Sequence, residues 1–269
     1  MPTPLEILLD PISLTILGLY GGMMLWEALA PGRRLPPIGG WKLRGLAAFG
    51  VFFFLSAYLP LLWDGYFAQY QLMDLSALGV AGGIAVGLLV NELGIYVWHR
   101  LLHGSNFLWH HFHQMHHSAE RLDTFGAFFL SPWDVFGFTL VGSVSLVLAV
   151  GLDPLAATAV LLLTTWFSIF QHANVKTPRW LGYFIQRPES HTIHHGRGLH
   201  RYNYSDLPIF DMLFGTFRNP SGYEMETGFY DGASARIVDM LLFRDVSEPA
   251  PAPAVAVERT TVQATGNPC

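Results

Sequence analysis

Charged residues are scarce in this sequence. Only 13% of its 269 residues are Asp, Glu, Lys or Arg, while 51% are hydrophobic and the mean hydropathy is +0.34. Soluble domains usually carry about 25% charged residues. This shortage excludes a disordered chain and argues against an ordinary soluble enzyme, because much of the surface must face lipid rather than water. The composition therefore predicts a membrane protein.

Cysteines and basic patches are also missing. The one cysteine, Cys269, is the last residue, which excludes an intramolecular disulfide and a cysteine-ligated zinc cluster. The formal net charge is −5 and the Lys and Arg residues are scattered, so no basic stripe indicates a nucleic-acid partner.

Five apolar runs are long enough, or nearly so, to cross a hydrocarbon core of about 30 Å, which takes roughly 17 to 25 helical residues. They predict an all-α, multi-pass transmembrane bundle with four to five crossings, at residues 14–30, 46–62, 75–98, 135–152 and 155–170. The first run lacks the basic start and cleavage site of a signal peptide, so we expect it to remain in the mature protein. The last two runs are joined only by residues 151–154, which leaves a hairpin without full crossings as an alternative.

The basic residues favour one orientation. With five crossings, all fifteen Lys and Arg residues fall on one side, whereas residues 63–74 on the other side contain Asp64 and Asp74 and no basic residue. The positive-inside rule makes the basic side cytoplasmic. We expect residues 1–243 to form the membrane-embedded domain, with its histidine-box core at about 89–220, and a cytoplasmic helical cap to carry the histidine-rich site. The Pro/Ala-rich residues 244–269 are expected to form a disordered tail.

Histidine, in contrast, is abundant and clustered. Seven of the twelve histidines lie within residues 99–117 and four within residues 191–200, in the boxes HRLLH, HQMHH and HTIHH. Residues at i, i+3 and i+4 share one helix face, so each box can direct two or three imidazoles at a common centre. Imidazole is the commonest protein ligand of transition metals, and eight box histidines exceed the needs of one tetrahedral zinc. Two metals are the simpler explanation.

The candidate metal ligands are the eight box histidines and one histidine of the segment FQHAN, which we expect at the same depth: His99, His103, His113, His116, His117, His191, His194, His195 and His172. For the remaining histidines a surface or hydrogen-bonded role is the better interpretation: His110, His111 and His200. Glu92 lies inside the third apolar run, where an ionisable residue is costly and indicates function. It either orients a ligand imidazole through its second ring nitrogen or pairs with a polar group of another helix.

The ordered boxes resemble a known family. The order HRLLH, HQMHHS, HAN, HTIHH and NYSDLPIFDMLFGTF, over about residues 89–220, resembles the fatty acid hydroxylase / sterol desaturase superfamily of integral membrane di-metal oxygenases. The resemblance implies two iron ions, held by the eight box histidines and His172, with O₂ as co-substrate. It implies an oxidoreductase that hydroxylates, desaturates or oxidises a methyl group of a lipid or sterol in the membrane. It also implies polar supporting positions at Asn203 and Asp211.

One departure from the family pattern bears on the metal site. Ser131 stands where many relatives have a histidine, which predicts a different coordination number or weaker binding of one metal. Iron is expected as the working metal because zinc has no redox chemistry, although zinc can occupy such sites in purified samples.

Two other functions stay open at this point. A haem-binding membrane cytochrome needs only two to four of these histidines and leaves the adjacent His-His pairs unexplained. A non-catalytic metal-binding membrane protein is the other alternative. The H-E-x-x-H pattern of zinc proteases is absent, and transporter ligands would favour the bilayer midplane.

The sequence also gives expectations about partners and location. No His-Pro-Gly-Gly segment marks a fused cytochrome b5 domain, so electrons are expected from a separate reductase with a ferredoxin or cytochrome b5-like donor. No retrieval signal is visible at the carboxyl end. We expect a bacterial cytoplasmic membrane, with the endoplasmic reticulum as the alternative, and the boxes on the cytoplasmic side.

Overall fold

The computed structural model describes residues 1–223 and 225–249. These residues are helical and contain no strand, only an isolated bridge between Gly196 and Thr227. The α-helices are α1 (Pro4–Leu9), α2 (Pro11–Leu29), α3 (Trp41–Tyr58), α4 (Pro60–Phe67), α5 (Gly79–Gly104), α6 (Asn106–Leu108), α7 (Gln114–His117), α8 (Pro132–Ser143), α9 (Pro154–His172), α10 (Pro188–His194), α11 (Ile209–Leu213) and α12 (Ile237–Leu241). Short 3₁₀ turns occupy Ser76–Leu78, Thr124–Gly126, Arg179–Tyr183 and Ala233–Ala235, and π-helical turns occupy Trp109–His113 and Val144–Ala149.

Five helical stretches are long and apolar enough to cross a membrane. They overlap the five predicted runs and span Pro11–Leu29, Trp41–Phe67, Ser76–Gly104, Pro132–Ala149 and Pro154–His172. The second stretch joins α3 to α4, and the fourth continues α8 into a π-helical turn. The chain is a multi-pass membrane protein.

Proline and a short polar residue fix the start of three of these stretches. Asp10 precedes Pro11, Ser131 precedes Pro132, and Asp153 precedes Pro154; each polar side chain accepts a hydrogen bond from a backbone N–H of the first turn. Proline suits the first helical position because that residue's N–H has no partner within the helix. The sequence alone therefore sets where α2, α8 and α9 begin.

The pair α8 and α9 forms a full-length hairpin. Its two stretches hold 18 and 19 residues, which makes each about 27–29 Å long. At the hairpin turn, Leu72 N–H donates to Leu148 O at 2.8 Å and Leu75 N–H donates to Val150 O at 3.0 Å, so the turn lies beside the loop before α5. The opposite ends of the hairpin reach the histidine boxes. Both helices thus run the length of the bundle.

Helix α5 packs closely against α9 through glycines. A Cβ atom at Gly87 would lie 2.6 Å from Leu152 Cδ1 and 2.9 Å from Val160 Cγ2, and one at Gly83 would lie 2.7 Å from Ala156 Cβ. Small residues one turn apart let transmembrane helices approach each other at van der Waals distance. This contact fixes the position of α5 relative to α9, the two helices that carry histidines at their cap-side ends.

The cap is formed by the segments that follow α5 and α9. An aromatic core joins it to the bundle, with Tyr20 stacked on Phe49 at 4.0 Å and Phe128 of the cap stacked on Phe52 at 3.8 Å. The predicted tail boundary at residue 244 is wrong, because Val246 is fully buried in the cluster around Trp41. The remaining predicted tail residues, 250–269, lie outside the described residues.

Candidate metal centre

The nine candidate histidines lie in two adjacent groups. In each group, one potential ligand atom per residue lies within 4.8 Å of all the others. Group one contains His99, His103, His113, His117 and His194. Group two contains His116, His172, His191 and His195. The stacked rings of His117 and His195, with centroids 4.2 Å apart, place the groups side by side.

The boxes do not correspond to the groups one to one. Within the second box, His113 and His117 join group one while His116 joins group two. Within the third, His191 and His195 join group two while His194 joins group one. Two residues of each box, at i and i+4, thus face a common centre, whereas the i+3 residue of the second and third boxes, about 60° away on the helix, faces the neighbouring group.

Five elements supply these side chains. The group-one histidines lie in the last turns of α5, in the π-helical turn Trp109–His113, in α7 and in α10. The group-two histidines lie in α7, at the last residue of α9, in α10 and at the residue after α10. The π-helical turn directly precedes α7, and such turns often occur at functional sites. Because α7 and α10 contribute to both groups, their positions set the geometry of the whole centre.

The ring nitrogens of group one fit a metal ion. His99 Nδ1–H donates to Tyr204 O at 2.7 Å, which leaves Nε2 with a lone pair directed inward. That Nε2 lies 3.0 Å from His113 Nε2, which lies 3.2 Å from His117 Nε2. Two nitrogens about 2.1 Å from one ion, at angles of 90–110°, are about 3.0–3.4 Å apart. Lone pairs converging at this spacing repel each other unless a cation lies between them.

Group two has the same arrangement. His172 Nδ1–H donates to Ser168 O at 2.6 Å, so its Nε2 also carries an inward lone pair. This atom lies 3.0 Å from both His116 Nε2 and His191 Nε2, and His195 Nε2 lies 3.2 Å from His191 Nε2. Four imidazole nitrogens matching this spacing are suitable for one transition-metal ion.

Burial keeps these imidazoles neutral. Desolvation, with a smaller contribution from neighbouring imidazoles, lowers the pKa of His116, His117 and His191 well below the usual value. The same cause lowers the pKa of His194 and His195. Neutral imidazole is the form that binds metal, so the centre is ready to bind without first losing protons.

Comparison with known proteins agrees with this geometry. Residues 84–216 match the family described as fatty acid hydroxylase, and they contain all nine grouped histidines. This match and the relatives below support the predicted resemblance to the fatty acid hydroxylase / sterol desaturase superfamily.

Three relatives illustrate the range of this superfamily. The chain is 30% identical over 141 residues to the ornithine lipid hydroxylase OlsE of Rhizobium tropici, covering 51% of this chain and 42% of the relative. It is 25% identical over 146 residues to human cholesterol 25-hydroxylase, covering 50% of each, and 27% identical over 149 residues to a cholesterol 25-hydroxylase-like protein of Danio rerio, covering 52% of this chain and 57% of the relative. The chain thus spans about half the length of these curated relatives. No solved structure matches it.

Asp134 supports the centre, and the sequence did not indicate it. The carboxylate is fully buried in the first turn of α8, and its Oδ2 accepts from His113 Nδ1 at 2.7 Å. A carboxylate on the second ring nitrogen fixes the tautomer and raises the basicity of a ligand imidazole. The available signal was an acidic residue at the start of an apolar helix shortly after the second box.

The predicted supporting residues Asn203 and Asp211 act through the loop around Tyr204. Asp211 accepts from Tyr204 N–H at 2.9 Å, and the carbonyl of the same Tyr204 orients His99. Asn203 Nδ2 donates to Ser190 O at 2.9 Å and thereby ties the loop to α10. Neither side chain contacts an imidazole directly.

This loop holds unusual backbone conformations. Tyr202 has φ 72° and Asn203 has φ 52°, and both follow His200 with φ 43°. Non-glycine residues rarely adopt positive φ, and such strain persists only where the surroundings enforce it. Here Tyr202 O accepts from His194 Nδ1 at 2.7 Å, so the strained loop positions a ligand of group one.

Glu92 is buried but does not reach the histidines. Its Oε2 accepts from Leu207 N–H at 2.9 Å, and Oε1 has no hydrogen-bond partner among the described residues. Glu92 thus makes no hydrogen bond to an imidazole among the described residues, and its partner is a backbone N–H of the loop before α11 rather than a polar group of another helix. The carboxylate holds the loop that carries Tyr204 against α5.

Ser131 and the other histidines lie outside both groups. The Ser131 hydroxyl donates to Phe112 O at 2.8 Å and accepts from Asp134 N–H at 3.1 Å, so it caps α8. His110 lies 3.3 Å from Asp245, and His111 stacks on Phe107. His200 differs from these two, because its Nδ1 lies 3.1 Å from His117 Nδ1.

Proposed function

We propose that the chain is a non-haem di-iron oxidoreductase that uses O₂ to oxidise a lipid or sterol within the membrane. The observation that carries this proposal is the pair of adjacent groups of five and four imidazoles, converging at the end of five apolar helices. One ion in each group accounts for the nine histidines and for the separation of the i+3 residue in the second and third boxes.

Hydroxylation is the reaction best supported. Two of the relatives are an ornithine lipid hydroxylase and a cholesterol 25-hydroxylase. Methyl oxidation and desaturation remain within the chemistry of the same centre. The substrate class is therefore a membrane lipid or a sterol, which reaches the centre from the bilayer.

Iron, when bound, would supply the O₂ activation that amino-acid side chains cannot provide. The nine histidines would hold the two ions through inward-facing nitrogens, which are Nε2 in the hydrogen-bonded cases described above. Asp134 Oδ2, Tyr204 O and Ser168 O hold His113, His99 and His172 in the tautomer that leaves Nε2 free. The surrounding apolar helices exclude bulk water from the reacting centre.

The haem alternative suits this geometry poorly. A haem iron accepts protein ligands only in its axial positions, because the porphyrin fills the other four. The converging imidazoles occupy the space around each centre where a porphyrin ring would lie. A non-catalytic metal store is compatible with the two groups, so it is the second candidate function. Measured turnover distinguishes it from the proposed oxidoreductase.

We further propose a separate electron donor, a ferredoxin or cytochrome b5-like protein with its reductase. We place the protein in a bacterial cytoplasmic membrane. We orient the histidine groups towards the cytoplasm because, in the five-crossing topology, the fourteen Lys and Arg residues of the described part of the chain fall on the side of the cap. Zinc can replace iron in a purified sample, so the working metal has to be identified by activity after loading with iron.

The test removes one ligand from each group. We expect His194→Ala to lose the group-one ion and His116→Ala to lose the group-two ion, each with loss of turnover. Iron content by elemental analysis, O₂ uptake with added membrane lipid, and lipid profiles of cells with and without the protein measure these effects.

His111→Ala is the matched control, because it also removes a cap histidine but lies outside both groups. We expect it to keep both ions and full turnover. Retention of full iron and turnover by His194→Ala and His116→Ala, in protein that inserts and folds, would refute the proposed centre. Two bound ions with no O₂ uptake under any lipid would identify a metal store instead.

A further inference from the structure

A large apolar surface of the cap faces outward. Six of its side chains are between 42% and 70% exposed: Trp180, Phe184, Ile209, Met212, Leu213 and Phe214. The Trp180 and Phe184 rings pack together, and Tyr183 between them contacts Phe217, which joins this segment to the region of α11. We call these six residues the apolar cap face. Contiguous apolar surfaces of this kind mark interaction sites.

The position of α11 on α5 indicates the depth of this face. Phe214, just after α11, stacks on Tyr96 of α5 with centroids 5.2 Å apart. One turn later, the exposed Arg100 donates to the Tyr96 hydroxyl at 2.9 Å, one turn before α5 ends. A charged side chain is costly in the hydrocarbon core and marks the level of the headgroups. The apolar cap face therefore lies at the membrane interface.

Three arginines surround the same region. The Arg218 and Arg201 guanidinium groups lie 4.1 Å and 5.2 Å from the centre of the Tyr202 ring, and Arg218 lies two residues after Thr216, whose hydroxyl contacts the Tyr96 hydroxyl at 3.2 Å. All three arginines are exposed. Among residues 1–223 and 225–249, none of them forms an ion pair with a carboxylate, whereas Arg187, Arg236 and Arg244 do. This positive charge lacks an anion from the described protein.

We propose that the apolar cap face and these three arginines bind an anionic phospholipid, with the acyl chains against Met212, Leu213 and Phe214 and the phosphate at Arg201 and Arg218. Apolar side chains alone would suit any lipid. The unpaired arginines select a headgroup with net negative charge, since each basic residue near an anionic membrane surface contributes about 1 kcal/mol, or roughly a factor of five in affinity.

The bound lipid lies next to group one. Tyr96 packs edge to face against Tyr204 at 6.0 Å, and the Tyr204 ring lies 5.4–5.6 Å from the rings of His99, His103 and His194. Tyr96 and Tyr204 thus lie in series between Phe214 of the apolar cap face and the histidines of group one. This placement goes beyond the proposed oxidation, because lipid binding there requires no metal, so the two can fail independently.

The test is native mass spectrometry of the full chain in a neutral detergent, titrated with phosphatidylglycerol or with phosphatidylcholine of the same acyl chains. We expect tighter binding of phosphatidylglycerol. The double variant Arg201→Gln/Arg218→Gln should lose roughly 25-fold in affinity for phosphatidylglycerol, the product of two factors of five, with little change for phosphatidylcholine. The charge-conserving variant Arg201→Lys/Arg218→Lys should stay within a few-fold of the unmodified chain.

The matched control is Arg34→Gln/Lys42→Gln. It removes the same number of exposed charges from the same side of the bundle, away from the apolar cap face. Equal losses in the two double variants would reduce the effect to net charge and overturn the proposal, as would equal binding of phosphatidylcholine or tighter binding of cholesterol. Intact phosphatidylglycerol binding in a chain without O₂ uptake would uphold this surface and count against the proposed oxidation alone.

Discussion

At the scale of single residues, Asp134 supports the metal centre through a ligand histidine without contacting a candidate ion itself. Its carboxylate holds His113 at 2.7 Å, and it is fully buried. We expect Asp134→Ala to weaken metal binding by about 10–100-fold, the range found for such supporting carboxylates. Asp134→Asn keeps an oxygen acceptor for His113 Nδ1–H and should recover most of this loss. Metal affinities measured by chelator competition give the comparison; equal affinities for both variants would assign Asp134 a purely structural role.

His200 gives a second prediction at this scale. The sequence predicts a surface or hydrogen-bonded role for this residue. It lies outside both groups, and its Nδ1 is 3.1 Å from His117 Nδ1. We expect His200→Ala to weaken the group-one ion, because His117 loses its partner and alanine is strained at φ 43°. His200→Asn retains an acceptor and tolerates positive φ, so it should bind metal more tightly than His200→Ala. Stepwise metal release followed by elemental analysis measures this order. Unchanged metal retention in His200→Ala would show that His200 does not support the group-one ion.

At the scale of helices, the contact between α5 and α9 depends on the absence of a side chain. Gly87→Leu would place atoms where Leu152 and Val160 already lie, and overpacking of this kind costs about 1–3 kcal/mol. We expect a lower thermal unfolding temperature in detergent together with weaker metal retention, because α5 and α9 carry histidines of different groups. Gly22→Leu is the control, since nothing lies within 4 Å of its would-be Cβ. Similar unfolding temperatures for both variants would contradict this account.

The helices also illustrate what the sequence could predict. Apolar length located all five membrane-crossing stretches, and histidine spacing identified nine residues that the structure brings into two groups. The division of the second and third boxes between the groups could not be predicted, because it depends on how α7 and α10 face each other. The roles of Tyr204 O and Tyr202 O were also hidden, since a backbone carbonyl has no residue-specific signal. The partner of Glu92 could not be predicted either, because its position in an apolar run does not reveal which loop packs against it.

At the scale of the whole molecule, the loops between the described helices lie at two opposite ends of the bundle. Residues 68–75 lie beside the turn before α9, whereas the segment between α2 and α3 contacts the cap, with Gly32 N–H donating to Asn174 O at 2.7 Å. In a Cys269→Ser background, we expect Arg34→Cys to react with an impermeant thiol reagent only from the cytoplasmic side and Tyr70→Cys only from the other. Labelling of both positions from the same side would overturn the five-crossing topology.

The sharing of α7 and α10 between the groups has a thermodynamic consequence. We expect an ion that binds at one group to fix the positions of both helices. The second ion then binds without the conformational-entropy cost of ordering them. We therefore expect positive cooperativity: at substoichiometric metal, native mass spectra should contain mostly chains with no ion or two, and few with one. A binomial distribution of occupancies would indicate that the groups load independently.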